Sequence, residues 1–134
     1  MTNSDLPAHP SAHAPIRVAL VGYGGAGRIF HAPLISGVPG MEPTCIVTRQ
    51  CEAVARDWPQ TACVPTAAEA LLDATIDLVV IATPNDSHFE LARSALLAGK
   101  HVVVDKPCTV TLAETEALLE LARAQGRVLT VFQN

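Results

Sequence analysis

The chain has 134 residues, enough for one domain, and its 49% hydrophobic content is enough to fill a core. A formal charge of −4 argues against nucleic acid or an anionic membrane as the main partner. No apolar run approaches the roughly 18 residues of a membrane span.

Residues 1–15 are polar and rich in Pro, His and Ala, with no basic start and no apolar centre. They read as a disordered tail, not a signal peptide. His9 and His13 lie in it, and two flexible histidines make a poor metal site. Residues 18–21 are an apolar run short enough to be a buried strand. The chain then turns through Gly22, Gly24 and Gly27, spaced G-x-G-x-x-G, and a helical pattern follows at once. Each glycine has a physical task in a dinucleotide fingerprint. Gly22 allows the tight turn. Gly24 lets the backbone approach a pyrophosphate. Gly27 lets the helix pack closely on the strand. The phosphates would then lie at free backbone N–H groups and a positive dipole end. The bland alternative is a glycine turn with no ligand.

Helix is expected over residues 28–38, with Pro33 kinking or interrupting it. Residues 42–48 hold a second strand around Cys45-Ile46-Val47. A short helix over 50–57 stops at Trp58-Pro59, and residues 62–64 suggest a brief third strand. Thr66 and Glu69 have capping-box spacing and open another helix. The continuous apolar centre of residues 77–82 marks a strand buried on both faces. A helix follows to Ala98, with Gly99 as its C-terminal stop, and then a strand over 101–104. Thr111 and Glu114 form a second capping box, whose helix closes at Gly126. Residues 127–132 are the last strand. This β-α alternation implies a doubly wound parallel sheet with helices on both faces, an α/β/α Rossmann arrangement of strand order 3-2-1-4-5-6.

The cysteines Cys45, Cys51, Cys63 and Cys108 show no C-x-x-C spacing and no histidine at zinc-finger distance. Free thiols in a reducing cytoplasm are expected.

In such sheets ligands bind beyond the carboxyl ends of the strands. That rule selects residues 22–28, 48–50, 82–88 and 105–107, with Asn134 as a fifth strand end. An NAD-preferring site usually has an acidic residue after the second strand. Here Thr48-Arg49-Gln50 stands instead. Arg49 is free to hold a 2′-phosphate, which favours NADP; the alternative is a solvated loop arginine. Lys106, held extended by Pro107, can project from its strand end to orient a substrate hydroxyl or assist proton transfer. The alternative is a surface ion pair between Asp105 and Lys106. His88 titrates in a useful range, but a histidine at a helix start making a local hydrogen bond is the preferred reading. His31 is likewise read as structural.

At these residues the chain resembles the N-terminal domain of the Gfo/Idh/MocA oxidoreductases, over residues 16–134. The resemblance rests on Val21-Gly22-Tyr23-Gly24 with Gly27, on Phe30-His31-Ala32-Pro33-Leu34, and on Thr83-Pro84-Asn85 with His88. The most specific part is the run ending in Val104-Asp105-Lys106-Pro107. Asp105 stands where the family usually has Glu, as in a subgroup similar to NADP-dependent scyllo-inositol dehydrogenases.

The resemblance implies that the loop of Gly22, Tyr23, Gly24, Gly25, Ala26, Gly27, Arg28 and Ile29 takes the pyrophosphate. Thr48 and Arg49 match the adenine-ribose end. Ala82, Thr83, Pro84, Asn85 and His88 match the loop under the cofactor. Asp105 matches the nicotinamide-ribose position, Lys106 the catalytic lysine, and Asn134 the strand end near the carboxamide. It implies NADP, with NAD as the other option, and a sugar or polyol substrate in a longer enzyme. The family carries a second α/β domain, which supplies the substrate pocket and much of the oligomer interface. Its absence after Asn134 leads us to expect a cofactor-binding module inactive alone, with apolar surface that a second copy could cover. A non-catalytic dinucleotide sensor acting through a partner protein is the competing expectation.

Overall fold

The computed structural model describes residues 13–134. The expected tail, with His9, lies outside them for all but its last three residues. Six strands form one parallel sheet: β1 (Ile16–Val21), β2 (Met41–Val47), β3 (Ala62–Val64), β4 (Leu78–Ile81), β5 (His101–Asp105) and β6 (Leu129–Phe132). Their spatial order is β3-β2-β1-β4-β5-β6, the order expected from the alternation. Five α-helices cross between them: α1 (Ala32–Gly37), α2 (Cys51–Asp57), α3 (Ala67–Leu72), α4 (His88–Leu97) and α5 (Leu112–Gln125).

Strand residues alternate between two faces, and each face builds its own core. On one side Ala19, Val21, Val79, Ile81, Val102 and Val104 pack against Ala70 of α3, Ala92 and Leu96 of α4, and Leu118 of α5. On the other, Val18, Leu20, Ile46 and Val80 pack against Tyr23, Ala32 and Ile35 of α1, and Val54 of α2. Val79, Ile81, Val102 and Val104 are all within 2% of complete burial, which is why their strands read as unbroken apolar runs. On the α1 side the face formed by Val80, Val103 and Phe132 is open as a shallow apolar groove.

Three local readings are corrected or refined. The segment after the glycine turn begins as ordinary helix at Gly25, with the Arg28 N–H donating to the Gly24 carbonyl, and then widens over Gly27–His31 before α1 begins. The Ala32 N–H donates to the Gly27 carbonyl, five residues back. Pro33 has no N–H to donate and its ring would crowd the carbonyl four residues earlier. The widened turn just before it accommodates both. The Thr66–Glu69 capping box does not form. Both side chains are exposed, where water satisfies them as well as the backbone would. The Thr111–Glu114 box does form: Thr111 Oγ1 accepts from the Glu114 N–H at 3.2 Å, and the Glu114 carboxylate accepts from the Thr111 N–H at 3.3 Å.

The third correction concerns the thiols. Cys51 and Cys63 are joined in a disulfide, while Cys45 and Cys108 are free. Cys51 opens α2 and Cys63 is the middle residue of β3. The parallel β2–β3 pairing brings these two elements together although neither cysteine belongs to a short spacing motif. No helix among the described residues is long and apolar enough to cross a membrane.

Candidate cofactor and active site

The carboxyl ends of β1, β2, β4 and β5 share one edge of the sheet, and the loops selected from the sequence all leave from it. Register fixes this. Val21 lies beside Val47 and Ile81, and Ile81 beside Val104. The turns after these residues are therefore neighbours.

The glycines differ in what holds them. Gly22 has φ +103°, and an added Cβ would sit 2.5 Å from the Ala82 carbonyl oxygen. Only glycine suits both conditions. A Cβ on Gly27 would run into the Gly22 carbonyl, so the turn folds back on itself as the close-packing role requires. A Cβ on Gly24 or Gly25 would meet nothing within 4 Å among the described residues. Backbone at the tip of the turn is thus bare and open. A dinucleotide pyrophosphate fits such a surface, because its oxygens need close approach to N–H groups.

Tyr23 and Arg28 are engaged beneath the turn. The Tyr23 ring is buried, and its hydroxyl donates to Asp57 Oδ2 at 2.8 Å. Arg28 Nε lies 3.1 Å from the same oxygen, and Arg56 Nε 3.3 Å from Oδ1. Asp57, at the end of α2, therefore anchors the glycine turn, a role that no motif in the sequence marks. The Tyr23 hydrogen bond, helped by both arginines, holds the Asp57 carboxyl below the usual carboxylate range, while burial pushes the Tyr23 phenol up.

A depressed carboxylate pKa stabilises the fold fully above the unfolded value, about 3.9. That contribution is lost as pH falls through the folded value, because the unfolded chain binds the proton first. Below about pH 4 the urea midpoint of the parent chain should fall more steeply than that of Asp57→Asn. Parallel curves would remove Asp57 from the acid response.

After β2, Thr48 Oγ1 accepts from the Gln50 N–H at 3.2 Å, and the Thr48 N–H donates to the Val64 carbonyl at 3.0 Å. This tight turn lifts Arg49 into solvent. After β4, Ala82 supports Gly22, and the Thr83 and Ser87 hydroxyls lie 2.6 Å apart. Pro84 and Asn85 are exposed and lead through the short turn Asn85–Ser87 into α4.

His88 is completely buried, with Nδ1 2.7 Å from the Pro107 carbonyl oxygen and Nε2 2.8 Å from that of Thr83. Its ring joins the β4 loop to the β5 loop from below, which is the local hydrogen-bonding reading. At the end of β5 the Lys106–Pro107 peptide is cis and the Lys106 side chain is exposed. Asp105 turns the other way. Its Oδ1 is 3.6 Å from His31 Nε2, and the His31 ring stacks on Phe132 with centroids 4.7 Å apart. Neither atom of that pair has a hydrogen-bond partner among the described residues. Asn134 is exposed, two residues beyond β6.

Two crevices of about 380 and 340 Å³ lie elsewhere, around Glu42 and Trp58 and around Asp77 and His101. Both adjoin the amino ends of strands. The carboxyl edge, the candidate shelf, lies outside both of them. No group of three or more potential metal ligands occurs among the described residues.

The family model for an oxidoreductase family with an NAD-binding Rossmann fold matches residues 16–133. The chain belongs to the Gfo/Idh/MocA oxidoreductase family. Among its relatives, the uncharacterized oxidoreductase YdgJ of Escherichia coli K12 is 54% identical over 119 residues, covering 89% of this chain and 34% of the relative. The scyllo-inositol 2-dehydrogenase (NADP(+)) IolW of Bacillus subtilis is 38% identical over 119 residues, covering 89% of this chain and 33% of that one. A Bacteroides fragilis protein of solved structure superposes with a TM-score of 0.88 at 42% identity, over 91% of this chain and 38% of the other. The chain thus spans about a third of the length of these family members, and it is the family's NAD(P)-binding Rossmann domain.

Proposed function

We propose that residues 16–134 bind NADP in preference to NAD and serve an oxidoreductase that acts on a hydroxyl carbon of a sugar or polyol. The observation that carries this reading is one shared strand edge. It presents the bare glycine turn, an exposed arginine after β2 with no ion pair among the described residues, and an exposed lysine after β5. The bare backbone of Gly24 and Gly25 takes the pyrophosphate, with Ala26, Gly27 and Ile29 shaping the start of the helical segment. Thr48 and Arg49 face the adenosine ribose and its 2′-phosphate. Thr83, Pro84 and Asn85 form the floor under the nicotinamide half, with Asn134 near its carboxamide. Asp105 Oδ1 is committed toward His31, so a contact to the nicotinamide ribose falls to its other carboxylate oxygen. The bound nicotinamide supplies a hydride donor or acceptor at C4, and Lys106 orients the substrate hydroxyl and helps move its proton. The likeness to a dehydrogenase whose name specifies scyllo-inositol and NADP(+) supports both the cofactor and the polyol class.

Titration of intrinsic NADPH and NADH fluorescence tests the cofactor reading. A charge-assisted contact contributes about 1.5–3 kcal/mol, so Arg49→Ala should weaken NADPH binding ten- to a hundredfold and leave NADH nearly unchanged. Equal losses for both would remove Arg49 from the phosphate. For the catalytic assignment, Lys106→Ala in the longer protein should lower hydride transfer while preserving NADPH affinity. Unchanged turnover would overturn it.

A further inference from the structure

The Cys51–Cys63 bridge closes twelve residues, and its position makes it more than a staple. Cys51 is the residue immediately after Thr48-Arg49-Gln50, and Cys63 stands on β3 next to Val64, whose carbonyl accepts from the Thr48 N–H. Both sulfurs lie 3.6 Å from the Thr48 carbonyl oxygen. The bridge therefore lies directly beneath the turn that presents Arg49.

The elements it joins are weak by themselves. β3 has three residues and pairs only with β2, and α2 has seven residues with no side-chain cap at its start. Without the covalent link, the turn is held by the Thr48 N–H, the Thr48 hydroxyl contact to Gln50 and the Val54 N–H donating to the Gln50 carbonyl, while buried Val54 and the Asp57 contacts hold the rest of α2. Both cysteines are partly exposed, so a thiol can reach them, whereas Cys45 is buried in the core.

We propose that Cys51 and Cys63 form a reversible thiol–disulfide site whose state sets how firmly residues 48–50 are held, and through them the grip on the adenosine end of the dinucleotide. The affinity part rests on the reading that this turn faces that end.

The exchange partner is a low-molecular-weight thiol or a protein dithiol. In reduction its thiolate attacks one sulfur of the bridge, the S–S bond breaks, and the departing cysteine takes up a proton. A second thiolate resolves the mixed disulfide. Two electrons and two protons thus pass to Cys51 and Cys63, and one external disulfide is released. Oxidation runs the same steps in reverse, with a disulfide as the two-electron acceptor. In the dithiol form one S–H can donate weakly to the Thr48 carbonyl, but the start of α2 is no longer tied to β3, so the turn before it is held less firmly and binding must order it further.

The test uses this chain poised with a dithiol or with oxidised glutathione. Thiol counting in denaturant should give four groups after reduction and two after oxidation, from the four cysteines of the sequence. Without nucleotide, amide exchange at residues 49–51 should be faster in the reduced form. NADPH should bind about fivefold more weakly to the reduced form, the equivalent of ordering roughly one residue. Cys51→Ser should behave as the reduced form under either condition.

Four thiols after oxidation, or identical exchange in the two states, would overturn the proposal. Equal NADPH affinity in both states would overturn its affinity part. If NADPH bound neither form while exchange still differed, the clamp would stand and the cofactor reading would fall.

Discussion

Replacing Gly22 by alanine should destabilise the fold by about 2–4 kcal/mol and abolish measurable dinucleotide binding. Two independent penalties meet at this residue. Its φ of +103° is unfavourable for any L side chain, and the new Cβ would press on the Ala82 carbonyl, which is backbone and cannot rotate aside. Ala82 is itself tied in, because its N–H donates to the Val21 carbonyl at 2.8 Å. Relief must therefore come from displacing the glycine turn, and that moves Gly24 and Gly25 off the shelf. Gly24→Ala is the informative control. Its Cβ meets nothing within 4 Å among the described residues, so stability should change by under about 1 kcal/mol while binding still falls, because the methyl group would stand where the pyrophosphate is proposed to lie. Urea unfolding and NADPH titration on both variants separate the two effects. Equal stability losses would refute the distinction.

The second large effect is expected at His88. Its ring is buried and lies between the carbonyls of Thr83 and Pro107. His88→Ala leaves a cavity and takes away a hydrogen-bond partner that water cannot readily replace. Together these should cost about 3–5 kcal/mol, a large share of the 5–15 kcal/mol typical of a domain. His88→Gln keeps a donor that can reach toward the Thr83 carbonyl and should recover part of the loss. Calorimetric unfolding gives the order parent, Gln, Ala. If Ala and Gln were equal, packing alone would account for the residue. Because the same ring supports the Lys106-Pro107 segment, His88→Gln should also change the environment of Lys106, which NMR of its side-chain amine can follow.

These two residues show what the chain reveals by itself and what it does not. The glycine spacing, the apolar run of β4 and the alternation of elements suffice for the sheet order, because parallel strands with right-handed crossovers leave few arrangements. The same rule gathers the candidate loops on one edge before any coordinate is known. Contacts between distant elements are another matter. Asp57 anchors Tyr23 and Arg28 from 34 and 29 residues away in sequence, and His31 meets Asp105 across 74 residues. No local pattern encodes such meetings; they follow from which helix packs on which face. The Cys51–Cys63 bridge is hidden from local pattern for the same reason, since its partners become neighbours only when β3 pairs with β2. Thr66 is the opposite case. A valid local signal went unused because both side chains point to water.

β5 imposes one more consequence, on tolerance to changes in chain length. Val102 and Val104 point into the core beneath α4 and α5, while Val103 and Asp105 point toward α1. Deleting a single residue inside His101–Asp105 would reverse that alternation. It would drive the carboxylate into an all-hydrocarbon layer and swing Lys106 through half a turn. The connection around residues 73–76 is exposed at the opposite edge for all but Ile76, and there the same one-residue change should be absorbed. Insertion and deletion scanning of this domain should therefore find a forbidden stretch from His101 to Pro107 and a permissive one that ends some 25 residues before it starts.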